Sequence, residues 1–328
     1  MLTVTSARPD NIIIFGASGF NRQFVLEEAQ SAEDPSGSLK WALAGQSRQW
    51  LEGGLNQASK SDAPYVFTVY GESVVRACID FSGEPQRCSF LPCKEAVTWK
   101  SAIYGFADSG SLRKLRKKFG HQPLPIVGAK VKKRASLFLS KQIVQHAISF
   151  IGSDSWVVRR SQRFLYEEDL QEHTGVQYSV HVGVGGIWWL IKMFCGSLLF
   201  WFLGKFGPGK KLLSQFPEFS FGVFTKAGAS RKQMEGTSFS LFFRYGYAEA
   251  LHPSQGRPNA RICTQKHGAE PGYVATPVAM VQATITILNE PQFLPIKSLS
   301  CSPGAAFART TLINRLSRHG LVFSVKRF

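Results

Sequence analysis

The stretch that most constrains the fold is NIIIFGASGFNRQF, Asn11 to Phe24. Ile12-Ile13-Ile14-Phe15 is a continuous β-branched and aromatic run, which suits a strand buried on both faces of a parallel sheet. Gly16 closes it. From Phe20 to about Ala32 the pattern predicts a helix, with Phe24, Val25 and Leu26 on its packed side and Glu27 and Glu28 on its exposed side. Asp34-Pro35-Ser36-Gly37-Ser38 reads as loop, and WALAG, Trp41 to Gly45, as a second strand. Strand, glycine turn, helix and strand therefore fill residues 11–45, the length a βαβ crossover requires.

That context gives the glycine turn a chemical meaning. In a G-x-G-x-x-G turn the first glycine makes the bend, the second lets the backbone approach a pyrophosphate, and the third lets the helix pack closely on the strand. Here Gly16, Ala17, Ser18 and Gly19 have the G-x-x-G spacing of Rossmann variants, with Phe20 following. Backbone N–H groups and the helix N-terminus are the expected phosphate ligands. Arg22, placed one turn into the helix, either pairs with a phosphate or solvent or obstructs packing on the sheet. The end of the second strand selects the nucleotide: a carboxylate there binds the ribose 2′-hydroxyl of NAD, whereas a basic residue accommodates the 2′-phosphate of NADP. Gly45-Gln46-Ser47-Arg48 offers no carboxylate, so NADP is favoured over NAD.

The remainder of such a domain looks short. A full dinucleotide fold needs about six strands joined by crossovers of a dozen or more residues. Between Gly45 and Trp99 the strong strand candidate is Tyr65 to Tyr70, a weak helix over 47–60 is interrupted by Gly53 and Gly54, and residues 80–98 have little periodic character.

With 39 Lys plus Arg against 22 Asp plus Glu, the 328-residue chain carries a formal charge of +17. Such a field favours anionic partners: dinucleotide phosphates, anionic lipid head groups or nucleic acid. No RRM, KH or zinc-finger pattern accompanies the charge, which argues against nucleic acid. The clusters Arg113 to Lys118 and Lys130 to Arg134 read first as solvated faces, with an anionic membrane surface as the functional alternative. Composition, 44% apolar and 12% aromatic, supports real cores rather than disorder. The six cysteines are dispersed and the N-terminus lacks a basic-then-apolar leader, so a reducing compartment without secretion or a disulfide frame is expected. Cys88 and Cys93 lack a second Cys/His pair at metal spacing, so no metal site is expected.

Past Trp99 the pattern predicts a helix or turn leading into the first basic cluster, and a helix over 155–170. Ser238 to Tyr245 alternates as a strand, with Ala260 to Lys266 as its partner. Gly272 to Asn289 reads as an apolar helix with Pro277 near its first turn. Thr310 to His319 reads as a helix ended by Gly320, followed by a strand from Leu321 to Val325. No nucleophile–base constellation stands out. Tyr104, Asp108 and Tyr273 are conceivable cleft residues, but packing or turn roles suit each better, and no catalytic residue is assigned.

The most apolar stretch is Val182 to Gly204. Its 23 residues meet the length of a membrane crossing, yet Lys192 near its middle costs about 3 kcal/mol on insertion scales. Trp188, Trp189 and Trp201, followed at once by Lys205, Lys210 and Lys211, favour a surface-seated segment contacting a membrane or lipid droplet. The competing reading is a buried core helix.

Eight segments, in order, then carry a family resemblance: IIIFGASGF, WALAG-SR--L, YGE-VV-ACID, SGEPQ, TWKSAIYGF, LRKLRK, EPGYVATPVAMVQA and PGAAF. The chain resembles the saccharopine dehydrogenase-like oxidoreductases from about Asn11 to Val325. The resemblance implies a Rossmann NAD(P) domain joined to a substrate domain, an oxidoreductase activity of undefined substrate, and association with lipid droplets, other membranes or mitochondria. It departs at the first turn, where a GASGFTG pattern becomes Asn21-Arg22, and at the second strand, where the Arg of AGRS is Gln46. Two internal blocks are missing relative to the family. One falls between Lys60 and Tyr65 and leaves only Pro64-Tyr65 of an NCVGPY segment on the nicotinamide side; the other falls between Gln86 and Thr98. With intact motifs on either side, a shortened splice form or an imperfect gene model explains this better than divergence.

The expected class is therefore α/β: an abbreviated Rossmann-type nucleotide domain over 1–98, and an α+β substrate domain over 99–328 that carries the apolar segment 182–204. Candidate cofactor residues are Gly16, Ala17, Ser18, Gly19, Phe20, Gln46, Ser47, Arg48, Pro64 and Tyr65. The alternative function is a catalytically inactive lipid-droplet or membrane protein on the same scaffold.

Overall fold

The computed structural model describes residues 12–15, 22–31, 41–44, 94–118, 124, 135, 137–140, 145–150, 154–168, 177–184, 186–220, 224–225, 230–247, 260–295 and 301–326. In chain order the elements are β1 (Ile12–Phe15), α1 (Arg22–Ser31), β2 (Trp41–Ala44), β3 (Lys94–Glu95), α2 (Ala96–Ala107), α3 (Ser109–Lys118), β4 (Leu137–Ser140), β5 (Gln145–Ser149) and α4 (Asp154–Glu168). They continue as β6 (His181–Val184), α5 (Ile187–Leu203), α6 (Gly207–Gln215), β7 (Phe224–Thr225), α7 (Arg231–Glu235), β8 (Ser238–Tyr247), β9 (Ala260–Ala269), α8 (Ala275–Asn289), α9 (Pro303–Ala306), α10 (Leu312–Arg318) and β10 (Val322–Lys326). The fold is a mixture of helix and sheet in two compact units, residues 1–77 with 271–322 and residues 78–270 with 323–328.

In the first unit β1 and β2 pair in parallel, Ile12 opposite Trp41 through Phe15 opposite Ala44, with α1 between them in the chain. The apolar centre joins Ile12 of β1 and Ala29 of α1 to Val281 and Ile285 of α8, with Ile14 and Val25 against them. Residues 271–322, which the linear reading attaches to the second region, thus pack in one unit with the N-terminal strands. On α8, Val278, Val281, Gln282 and Ile285 are buried, the i, i+3, i+4, i+7 spacing of a single helix face. Two hydroxyls of α8 bond locally: Thr286 Oγ1 donates to the Gln282 carbonyl at 2.7 Å and Thr276 Oγ1 to the Pro271 carbonyl at 2.7 Å.

Two terminations in this unit follow from residue chemistry. Glu290, just past α8, accepts from the Thr311 backbone N–H at 2.9 Å and from the Thr311 hydroxyl. It thereby satisfies a backbone donor that the start of α10 leaves orphaned. At the other end of α10, Gly320 has φ +84°, a conformation that strains any side chain bearing a Cβ. The following Leu321 N–H bonds back to the Leu316 carbonyl at 2.9 Å, the longer bond of a Schellman ending.

The second unit contains a three-stranded antiparallel sheet, order β4-β5-β6, and a second sheet, order β10-β9-β8. β8 and β9 pair antiparallel over ten residues each, Ser238 opposite Ala269 through Tyr247 opposite Ala260, so the alternating run predicted from Ser238 has its predicted partner, each strand running on at its C-terminal end to Tyr247 and Ala269. Around α2, Trp99, Ile103 and Leu213 form a buried cluster with Phe200, Leu203 and Phe219. The Trp99 indole Nε1 donates to the Leu213 carbonyl at 2.6 Å, and its ring meets Phe200 at 5.2 Å.

The apolar run 182–204 is divided between two elements. Val182 to Val184 belong to β6, paired with β5 as Ile148 opposite Val182 and Ala147 opposite Gly183. Gly186, at φ 128°, turns the chain out of the sheet, and α5 begins at Ile187. The turn from α5 into α6 is too tight for side chains: a Cβ on Gly209 would collide with the Leu203 carbonyl oxygen, and one on Gly204 would lie 2.7 Å from that of Phe200. Among the described residues no helix is long and apolar enough to cross a membrane.

Candidate functional site

The nucleotide-binding candidates are framed by β1, α1 and β2. Because Phe15 and Ala44 are register partners, the carboxyl ends of the two parallel strands lie side by side. That is the end at which open α/β sheets receive ligands. Gly16, Ala17, Ser18, Gly19 and Phe20 continue the chain from the first end, and Gln46, Ser47 and Arg48 follow shortly after the second; all eight, with Pro64 and Tyr65, lie outside the described residues. So do the strand candidate 65–70, the weak helix over 47–60 and the pair Cys88 and Cys93. Arg22 is the first residue of α1 rather than one turn into it.

Behind this frame is a polar group that the linear pattern misassigned. Glu28 was expected on the solvent face of α1, but its side chain is only 13% exposed. Its Oε1 lies 3.0 Å from His319 Nδ1 and accepts from Gln282 Nε2 at 3.1 Å. One carboxylate oxygen therefore ties α1 to α8 and to the end of α10. Glu28 follows Phe24 by four residues and Val25 by three, so the helical period sets it on the packed side of α1, whereas Glu27 is exposed.

The three cleft candidates separate by environment. Tyr273 is buried and its ring lies 5.8 Å from that of Phe24, a packing role. Tyr104 and Asp108 are exposed in the second unit, and the Tyr104 carbonyl accepts from the Asp108 backbone N–H at the end of α2.

In the second unit Ser240 and His267 face each other across β8 and β9, Oγ to Nδ1 3.0 Å, and Gln265 Nε2 donates to the same hydroxyl at 3.4 Å. This is a satisfied polar rung of the sheet. On the other sheet face, the Lys266 ammonium sits 5.5 Å from the Phe239 ring and 5.5 Å from the Phe323 ring. Burial lowers its pKa from the ordinary lysine value of 10.5. The unfolded chain then holds this proton more tightly than the folded one, so folding gains stability as pH rises from the lowered pKa towards 10.5, and below that window the desolvation cost is fully present. Lys266→Met is accordingly expected to raise Tm at neutral pH, with the gain shrinking in alkaline buffer. A variant that melts lower at neutral pH would show that the two cation–ring contacts outweigh the desolvation.

The surface of α5 is the other unusual feature. None of its residues is buried. One side, through Phe200 and Leu203, packs on the Trp99 cluster. The opposite side, Ile187, Ile191, Phe194, Leu198, Trp201 and Phe202, is open to solvent, and Trp188 and Phe194 are the most exposed, at 74% and 71%. Lys192 stacks 4.8 Å from the Trp189 ring centroid and Lys205 3.3 Å from that of Trp201.

No family model and no solved structure matches the chain. Among characterised sequences it is similar to saccharopine dehydrogenase-like oxidoreductases of Rattus norvegicus and Homo sapiens, 37% identical to each, over 98% of this chain and 98% of each relative. It is also similar to a probable mitochondrial saccharopine dehydrogenase-like oxidoreductase of Arabidopsis thaliana, at 26% identity over 96% of both chains. More distantly it is similar to a lipid droplet localized protein of Caenorhabditis elegans, at 22% identity over 96% of this chain and 98% of the relative. The chain belongs to the saccharopine dehydrogenase-like oxidoreductase family. The mammalian alignments run over 425 positions against the 328 residues here. At least 97 positions, 425 less 328, therefore have no residue of this chain opposite them. Since both chains are covered almost end to end, that shortfall is internal.

Proposed function

We propose that the chain is an NAD(P)-dependent oxidoreductase with an abbreviated Rossmann-type nucleotide domain, preferring NADP. The observation that carries this reading is the parallel pairing of β1 with β2, whose carboxyl ends stand together where the glycine turn and the Gln46-Ser47-Arg48 segment begin. In this reading the backbone from Gly16 to Phe20 and the start of α1 hold the pyrophosphate, and Ser47 and Arg48 receive the ribose 2′-phosphate. Pro64 and Tyr65 lie on the nicotinamide side. The bound dinucleotide supplies hydride chemistry, and the protein supplies binding, orientation and exclusion of water.

Titration of the purified protein with NADPH and NADH, followed by nucleotide fluorescence, tests the assignment. Micromolar binding with NADPH the tighter ligand is expected. Absence of binding at millimolar nucleotide would defeat the enzyme reading for this chain. A preference for NADH would overturn the role of Arg48.

The open side of α5 favours a second reading, in which the chain is a lipid-droplet or membrane-associated protein that keeps the family scaffold without turnover. An aromatic-rich apolar surface flanked by lysines suits the boundary between acyl chains and head groups. The name of the worm relative, lipid droplet localized, agrees with a lipid setting, and that of the plant relative, mitochondrial, with an intracellular one.

A further inference from the structure

A helix that is apolar all round belongs in a core or in contact with lipid, yet α5 is covered on one side only. Phe200 and Leu203 face protein. Ile187, Ile191, Phe194, Leu198 and Trp201, spaced at i, i+4, i+7, i+11 and i+14, face outward along the full length of the helix. The open face is therefore a stripe parallel to the helix axis. At about 1.5 Å per residue, the 17 residues of α5 span roughly 26 Å. That is less than the hydrocarbon thickness of about 30 Å, and the helix cannot cross a bilayer while its inner side holds Trp99. A helix in this position can only lie in the plane of whatever covers it.

Charge distinguishes the possible covers. From Glu172 to Glu218 the sequence contains no acidic residue between those two, whereas Lys192, Lys205, Lys210 and Lys211 are all present. A two-fold contact between copies places the same patch on both sides, and so would bring the lysines of this segment against each other with no carboxylate of the segment to pair. A phosphate-bearing surface answers the lysines and the apolar stripe together.

We propose that the outward side of α5 is an in-plane docking surface for phospholipid membranes bearing anionic head groups. The stripe from Ile187 to Trp201 enters the acyl boundary, while Lys192 on Trp189, Lys205 on Trp201, and Lys210 and Lys211 on α6 stand at the level of the phosphates. The proposal rests on the lipid-associated reading above and adds to it the geometry and the head-group chemistry.

Flotation of the full chain with phosphatidylcholine vesicles, with and without phosphatidylserine, tests it. Stronger binding to the anionic vesicles is expected, weakening as salt is raised. Lys205→Gln with Lys211→Gln should weaken binding to the anionic vesicles by about fivefold per lysine. Phe194→Asp, at an exposed position that leaves the fold intact by circular dichroism, should abolish binding to both vesicle types. Equal binding to neutral and anionic vesicles would overturn the anionic preference while leaving lipid association standing. Binding to neither, with light scattering showing a dimer that Phe194→Asp makes monomeric, would overturn both in favour of a second copy. Anionic binding that survives Phe194→Asp would remove α5 from the interaction and transfer it to the other basic clusters.

Discussion

Replacing Trp99 with alanine is expected to lower the stability of the second unit by about 3–5 kcal/mol, the range for removing a large buried aromatic side chain. The indole is 7% exposed, meets the Phe200 ring at 5.2 Å, and donates at 2.6 Å to the Leu213 carbonyl. Its loss leaves a cavity at the meeting of α2, α5 and α6 and an acceptor without its donor. Trp99→Phe separates the two effects: it retains much of the ring packing and removes the hydrogen bond, at a cost of about 1–3 kcal/mol. Trp188 is the control, because its exposed ring makes Trp188→Ala a change within about 0.5 kcal/mol. Thermal or urea unfolding of the three variants checks the order, and a Trp99→Ala protein no less stable than Trp188→Ala would remove the indole from the core.

Ile285→Ala is expected to cost about 2–5 kcal/mol in the first unit. Ile285 is completely buried and belongs to the cluster that joins α8 to Ile12 and Ala29. Small domains hold only about 5–15 kcal/mol in total, so this one change removes a large part of the stability of the first unit. The sharper measurement is hydrogen exchange in residues 22–31. Protection of α1 should fall with Ile285→Ala and stay unchanged with Met280→Ala, whose side chain lies on the exposed face of the same helix. If α1 keeps its protection in Ile285→Ala, the two ends of the chain do not share a core.

How much was legible beforehand differs by element. β1, α1 and β2 are within a residue or two of their predicted limits, because a continuous apolar run, a glycine and a helical period are local signals. The pairing of β8 with β9 was legible for the same reason, as was the end of α10 at Gly320, where the backbone adopts a left-handed conformation. β4 was not. Its Leu137 and Leu139 are exposed while Phe138 is half-buried and Ser140 buried, so apolar residues stand on both faces and no apolar–polar alternation marks the strand. The apolar run 182–204 misled in a different way. Hydropathy is continuous across it, but Gly186 divides it into a strand and a helix with different neighbours.

The chemistry of the site follows the same division. The glycine spacing from Gly16 to Phe20 and the absence of a carboxylate after β2 are statements about residue types in order, and the proposal of a phosphate-binding, NADP-preferring site rests on them. Its surroundings are not local. Glu28 meets Gln282 across 254 positions of sequence, and no periodicity encodes a contact at that separation.

By itself, therefore, the sequence determined the βαβ start, the hairpin of long strands, the basic charge and the family, because each rests on neighbouring residues or on an ordered set of motifs. The tertiary structure alone decided that α8 from the far end of the chain closes over α1, and that α5 is covered on one side and bare on the other. Which apolar face meets which depends on three-dimensional packing, and an apolar residue looks the same in a sequence whether protein covers it or not.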